Sequence, residues 1–393
     1  MPHQTISKTS DLKTWCSEMR DVEWIALDTE FIAERYYQPL LCLIQVATPR
    51  GNFLIDPLVI FDTTPFWTLL CDGEQETIVH AGRVELEFCH RHTGRFPKRV
   101  FDTQLAGGLV TNEFPAGYTH LVQHFLKMHV PGTESRTDWK CRPLTERQVD
   151  YALDDIRYLQ PMREAIGKEL EALGRVAWLE DETRNAMKHV ASLVCDQRWR
   201  RLLGSGRYDA HELAIVRALW EWRENVAKSR NCVVRRVLRD DLILELARRK
   251  TSEISGIRNI RGMEREDLKR QLPDIARCVA GALALPEKKC PEVFPVHAGA
   301  KLSVLGTLFS SVLGTLCREQ KIAQALVGTP SDVRDWLAWR LGQTTSPEKP
   351  ALAQGWRAGV VGDLFEDLLT GRRGIRICEP LEDCPMDFPE IPQ

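Results

Sequence analysis

No apolar run in this 393-residue chain reaches the ~18–20 residues that a membrane-crossing helix needs. None of its 12 cysteines forms a CxxC pair, and many sit in apolar stretches, as Cys42 does in Leu41-Cys42-Leu43-Ile44. That usage points to reduced, buried thiols and away from a disulfide framework. Cys89 and His92 could share a helix face, but no second ligand pair follows, so a zinc site is not expected. Net charge is nearly absent: 53 Lys and Arg against 55 Asp and Glu leave −2, which excludes a polyelectrolyte. With 43% hydrophobic and 27% charged residues and no low-complexity tract, the chain is not a mostly disordered, collagen-like or coiled-coil protein. No apolar signal segment follows Met1-Pro2-His3-Gln4-Thr5. A soluble, cytoplasmic protein without a membrane partner is the expectation. At roughly 150 residues per domain, the length allows two to three domains.

What is present is uneven along the chain. Roughly the first 165 residues alternate short apolar runs with helical patterns. Glu23 to Asp28 reads as a buried strand ending in acid, Leu40 to Ala47 as a second, Asn52 to Ile55 as a third and Thr77 to His80 as a fourth. The short connections imply antiparallel neighbours, because a parallel pair needs a long crossover. Thr145 is placed to cap a long helix. This is an α/β domain with a mixed sheet. Beyond about residue 170 the strand signals fade into helices, broken at Gly204-Ser205-Gly206 and again at Pro286 to Pro291, with a proline-rich end from Gly371. The expected divisions are an α/β domain over 1–190, helical domains over 205–290 and 298–376, and a flexible tail over 377–393. The two helical blocks could be copies, but their sequences share too little to show it.

Charge is concentrated too. Residues 191–290 hold 22 Lys and Arg against 14 Asp and Glu, a local sum of +8, and Arg235-Arg236, Arg239 and Arg248-Arg249-Lys250 form the densest run. Such a stretch is either a solvated helix face or a phosphate-binding surface.

The chemistry lies in three places. Asp28-Thr29-Glu30 sets two carboxylates at i and i+2, on one face of a strand, where a cation would relieve their repulsion. His80-Ala81-Gly82 leads into a helical stretch carrying Glu85, with Glu87 nearly opposite and so outside any site Glu85 enters. Tyr151 and Asp155, four residues apart, share one helix face.

In this order the elements resemble the DEDD superfamily of 3′→5′ exonucleases, in the variant with tyrosine in the last motif, and within it the ribonuclease D family. Also matching are Leu43-Ile44-Gln45, Leu54-Ile55-Asp56-Pro57-Leu58, Phe101-Asp102-Thr103-Gln104 and the run from Glu134-Ser135-Arg136-Thr137-Asp138-Trp139 to Tyr151. Arg217 to Arg223 and Ile254-Ser255-Gly256-Ile257 resemble the family's helical HRDC domains. The resemblance implies an α/β ribonuclease H-like exonuclease domain with a mixed sheet, followed by two all-α HRDC-like domains. It implies Asp28, Glu30, Glu85 and Asp155 as ligands of two divalent cations, Mg²⁺ or Mn²⁺, and Tyr151 as the residue that orients the attacking water. His80 and Gln45 would line the nucleotide pocket, while Asp102, Ser135, Arg136, Asp138 and Trp139 are family-like with no assigned role. The implied activity is trimming of RNA with a single-stranded 3′ end, tRNA precursors among them, releasing 5′-mononucleotides, by a monomer. One residue departs from the pattern: the family has aspartate where this chain has Glu85, one methylene longer. Two rivals remain at this stage, a DNA exonuclease of the same superfamily and an RNA-binding protein whose nuclease site has decayed at Glu85.

Overall fold

The computed structural model describes residues 2–130, 137–192, 198–204, 206–293, 302–344, 348–378 and 383–392. Packing divides the chain into two units, Met1–Thr29 with Leu43–Val190 and His297–Gln393, and Glu30–Cys42 with Ala191–Val296. Each is taken by itself.

The α/β part is built on a six-stranded sheet in the order β1-β4-β3-β2-β5-β6. Its strands are β1 (Gln4–Ile6), β2 (Trp24–Ile32), β3 (Leu40–Thr48), β4 (Gly51–Ile55), β5 (Glu76–Val79) and β6 (Arg99–Asp102). The sheet is mixed, as expected: β3 and β4 form an antiparallel hairpin, while β1 pairs with β4, β2 with β5 and β5 with β6 in parallel. Gly51 closes the hairpin at φ +132°, a backbone conformation that favours glycine. β1 and β6, three and four residues long, were too short and polar to show in the sequence. β2 runs four residues past its expected end, so Asp28 and Glu30 lie within the strand and not at its tip.

Around the sheet stand α1 (Thr9–Glu18), α2 (Thr64–Asp72), α3 (Arg83–Thr93), α4 (Thr103–Gly108), α5 (Tyr118–Leu121), α6 (Glu146–Arg157), α7 (Leu159–Ala172) and α8 (Val176–Ser192). Apolar strand residues such as Ile25, Leu27, Ile44 and Ile55 have no exposed surface. Trp67 packs edge-on against Phe66 and stacked on Phe88, with centroids 5.0 and 5.6 Å away. His92 stacks on the same tryptophan.

The first helical block holds α9 (Ala210–Ser229), α10 (Val234–Val237), α11 (Asp240–Arg249), α12 (Ile254–Arg258), α13 (Glu266–Lys269) and α14 (Leu272–Leu283) around a core that includes Leu219, Leu246, Ile257 and Ile275. The second holds α15 (Ser303–Glu319), α16 (Gln324–Val327), α17 (Pro330–Arg340), α18 (Gly355–Val361) and α19 (Leu364–Leu369), centred on Phe309, Trp336 and Phe365.

The two blocks repeat one backbone pattern with a 90-residue offset. Ser229 and Glu319 end the first helix, Val234 and Gln324 begin the short one, and Asp240 and Pro330 begin the next. Asn231 and Lys321 both take positive φ, 44° and 51°. The bonds Cys232 N–H to Ala227 O and Leu238 N–H to Val234 O recur as Ile322 to Cys317 and Gly328 to Gln324. The copies left open by the sequence are therefore alike in backbone.

The second block does not stand apart; it packs within the nuclease unit. Buried Arg175 donates to the carbonyls of Leu109, Gln320 and Lys321 at 2.6, 2.5 and 3.1 Å. Arg357 forms a two-pronged ion pair with Glu182 at 2.8 and 2.9 Å, and the Trp356 indole donates to the same carboxylate. The Ala323 N–H reaches Gly108 O at 2.8 Å. A Cβ on Gly108 would stand 2.7 Å from the Leu326 Cδ1 methyl, so glycine makes room for that side chain. Over its described part the end of the chain forms a small strand pair. β7 (Arg376–Ile377) pairs antiparallel with β8 (Met386–Asp387), fastened by the Arg376–Asp387 ion pair.

Candidate active site

Strand β2 presents Asp28 and half-buried Glu30 two residues apart, on one face by strand alternation. Between them, the Thr29 hydroxyl donates to Glu85 Oε1 at 2.5 Å. Glu85 comes from the first turn of α3, whose start is fixed by Asp102. The Asp102 carboxylate accepts from the N–H groups of Ala81, Gly82, Gln104 and Leu105. It thus caps α4 and holds the β5–α3 turn, in which Ala81 takes φ +55°.

Helix α6 presents Tyr151 and Asp155. A capping box starts it as the sequence suggested: Thr145 Oγ1 accepts from Gln148 N–H at 3.2 Å, and Gln148 Oε1 accepts from Thr145 N–H at 3.0 Å. The Tyr151 hydroxyl donates to the Asp155 carboxylate. Trp139, buried, lies against Tyr151 with centroids 6.1 Å apart. The segment carrying Trp139 is pinned by Arg142, which forms a two-pronged pair with Asp56 at 2.5 and 2.9 Å and donates to the Trp139 carbonyl.

Burial dominates the electrostatics. It pushes Asp28 up to about 6 against one backbone hydrogen bond from Thr29. It pushes Glu85 up to about 8, reinforced by the negative charge of Asp28 and opposed by the Thr29 hydrogen bond. It pushes Asp155 up to about 8, again reinforced by Asp28. Glu85 and Asp155 therefore both feel the charge of Asp28 inside the nuclease unit, and a cation would relieve the repulsion. All-oxygen carboxylate donors suit a hard divalent ion. As the side chains stand, no three His, Cys, Asp or Glu among the described residues converge closely enough to hold a metal, so binding requires them to close in.

The remaining expected residues divide. His80 is half-buried, with Nδ1 2.9 Å from Thr103 Oγ1 and its ring edge-on to Tyr118. Gln45 is fully buried on β3, and neither of its amide atoms has a hydrogen-bond partner. Glu87 turns away to pair with Arg83, as its helix position required, and Asp154 pairs with Arg157. Ser135 and Arg136 lie outside the described residues.

Sequence reasoning missed Tyr118, whose hydroxyl donates to Asp154 O at 2.6 Å and accepts from Tyr158 N–H at 3.2 Å. Burial raises its pKa, and Asp155 and Asp28 add to the shift. No motif marks it. Thr29 was within view, between the two acids of Asp28-Thr29-Glu30.

A family model described as 3′-5′ exonuclease matches residues 3–171, and one described as HRDC domain matches residues 212–279. Acids gathered from β2, α3 and α6, within that match, define a 3′→5′ exonuclease. The ribonuclease D of Zymomonas mobilis is 30% identical over 388 residues, covering 95% of this chain and 96% of that protein. The ribonuclease D of Escherichia coli is 28% identical, covering 94% and 99%. The crystal structure of that E. coli enzyme, an exoribonuclease involved in structured RNA processing, matches with a TM-score of 0.82. The chain belongs to the ribonuclease D family and is a 3′-5′ exoribonuclease; neither rival reading is favoured. Among the described residues, no helix is long and apolar enough to cross a membrane.

Proposed function

We propose that Asp28, Glu30, Glu85 and Asp155 hold two divalent cations, Mg²⁺ or Mn²⁺, and that Tyr151 orients the attacking water. The observation that carries this reading is that Glu85, from α3, and Asp155, from α6, both feel the charge of Asp28 on β2. Bound cations would activate water and stabilise the leaving oxyanion. The rest falls to the chain. A tyrosine hydroxyl has one proton, and Tyr151 donates it to Asp155. In this reading its oxygen accepts a hydrogen bond from the water and aims it. Thr29 fixes the longer Glu85 carboxylate by donating to one of its oxygens. Half-buried His80 and fully buried Gln45 border the 3′ nucleotide in this reading.

The substrates are tRNA precursors and other structured small RNAs with single-stranded 3′ ends, trimmed to 5′-mononucleotides by a cytoplasmic monomer. Support comes from the E. coli relative, whose structure describes it as acting in structured RNA processing. Residues 1–190 act as the nuclease and 205–290 and 298–376 as the helical domains.

The test is initial rate against metal concentration on 3′- and 5′-labelled RNA, for the parent and Glu85 variants. Glu85→Asp should keep or raise activity, since it restores the family's shorter ligand. Glu85→Ala should nearly eliminate activity and weaken metal binding, because the cations lose a neutralising charge. An unchanged rate and metal dependence in Glu85→Ala would remove Glu85 from the site.

A further inference from the structure

We propose that the corner joining α9, α10 and α11 of the first helical copy, carrying Arg230, Arg235 and Arg236, is a docking face for the phosphate backbone of the RNA substrate. This rests on the reading that the substrate is RNA, and it names where the chain holds the backbone.

The two copies supply the argument. In the second copy this corner is occupied by protein. Gln320 and Lys321 offer carbonyls to Arg175, Ala323 gives its N–H to Gly108, and Leu326 fills the space above Gly108. Ile322, Ala323 and Leu326 are accordingly buried. The matching positions in the first copy, 90 residues earlier, are Arg230, Asn231, Val233 and Arg236. There the corner is open: Cys232 and Val233 are half-buried, and Arg230, Arg235 and Arg236 are exposed. Where the covered copy has Leu326, the open copy has Arg236. A corner built to be covered is thus uncovered, and its apolar contact is replaced by cations.

Neighbouring cations are already committed. Arg239 pairs with Asp241, Arg249 with Glu245, Lys250 with Asp209 and Arg265 with Asp267. Among the described residues, Arg230, Arg235 and Arg236 face no carboxylate within ion-pair range. Arg265 also donates to the Arg236 carbonyl at 3.3 Å, which steadies the backbone that presents them. Unpaired guanidinium groups on a fixed corner fit a polyanion, and the substrate of this enzyme is one.

The experiment measures binding of the full chain to a 5′-labelled single-stranded RNA in chelator, so that nothing is cleaved, over a series of salt concentrations. Arg235→Gln with Arg236→Gln is compared with Arg248→Gln with Arg249→Gln, which removes equal charge from the same block. The corner pair should bind roughly tenfold more weakly at low salt and flatten the log–log salt slope by about 1.4, at ~0.7 per lost phosphate contact on a single strand. The control pair should change little. Equal losses in the two pairs, meaning diffuse attraction, or no loss in either, would overturn the assignment. Mononucleotide release by the parent protein is followed with metal added. Its absence would sink the catalytic reading, while the binding comparison would still decide the face.

Discussion

The two helical copies share a backbone and differ in what they are fastened to. The second is part of the nuclease unit, tied through Arg175, the Glu182–Arg357 pair and the Ala323–Gly108 bond. The first forms its own core and lies in the stretch 191–290, whose local charge is +8 in a chain of net charge −2. Duplicated geometry thus does not imply duplicated work. One copy braces the domain that performs chemistry, and the other is left to meet substrate. A cut after residue 204 would therefore remove both a binding block and a brace, and point variants separate the two better.

The largest expected effect isolates chemistry from both copies. Asp28→Asn or Asp155→Asn should lower cleavage by at least ~10²–10³-fold, the scale of losing a preorganised electrostatic group. RNA affinity in chelator should hold. Retained turnover in either variant would take that residue out of the site.

Next, breaking the brace should injure the nuclease unit but leave the first copy's core intact. Glu182→Ala strands Arg357, and Arg175→Met strands three carbonyls. The first should destabilise the fold by about 3 kcal/mol, the low end for opening a buried pair, and the second by about 1–3 kcal/mol for carbonyls left unsatisfied. Hydrogen exchange should show the loss in residues 302–378 and the sheet, with α9 and α14 unaffected. Equal loss of protection in both copies would erase the distinction between them.

A smaller effect follows from the buried acids, which belong to the braced unit alone. Glu85 and Asp155, both raised to about 8, and Asp28, raised to about 6, keep protons in the fold that the unfolded chain has already released. The folded state binds more protons, so metal-free stability should fall as pH rises from about 4 through 8. Mn²⁺ or Mg²⁺ competes with those protons and should raise Tm more at pH 8 than at pH 6. A metal-induced shift independent of pH would contradict the coupling.

The smallest effect is the sharpest comparison. Ala323 has φ −67° and Val233 φ −60°, so both backbones accept proline. Only the Ala323 N–H is spent on Gly108. Ala323→Pro should cost about 1 kcal/mol, one net hydrogen bond, and Val233→Pro should be neutral or stabilising by up to ~1 kcal/mol. Chemical denaturation of both variants measures the difference.

Much of the nuclease domain was legible in the sequence because its signals are local. Asp28-Thr29-Glu30 has the strand period, Tyr151 and Asp155 the helix period, and Thr145 with Gln148 a capping box. What was not legible depends on distance or on backbone. Glu182 and Arg357 meet across 175 residues of chain, and neither lies in a motif. The likeness of the copies is carried by main-chain bonds and by positive φ at Asn231 and Lys321, different residue types in one conformation. Gln45 sits where apolar alternation allows a buried side chain, so its lack of any partner could not be read from Leu43-Ile44-Gln45.

Arg175 hydrogen-bonds the second copy through main-chain oxygens, those of Gln320 and Lys321, and burial lowers its pKa, with no ion-pair partner among the described residues. Every amino acid carries that oxygen. This contact can therefore hold Arg175 fixed without specifying the side chains at 320 and 321, and by itself it would leave no correlated substitutions in an alignment. An interface of this kind is invisible to coevolution and is found by deleting the arginine.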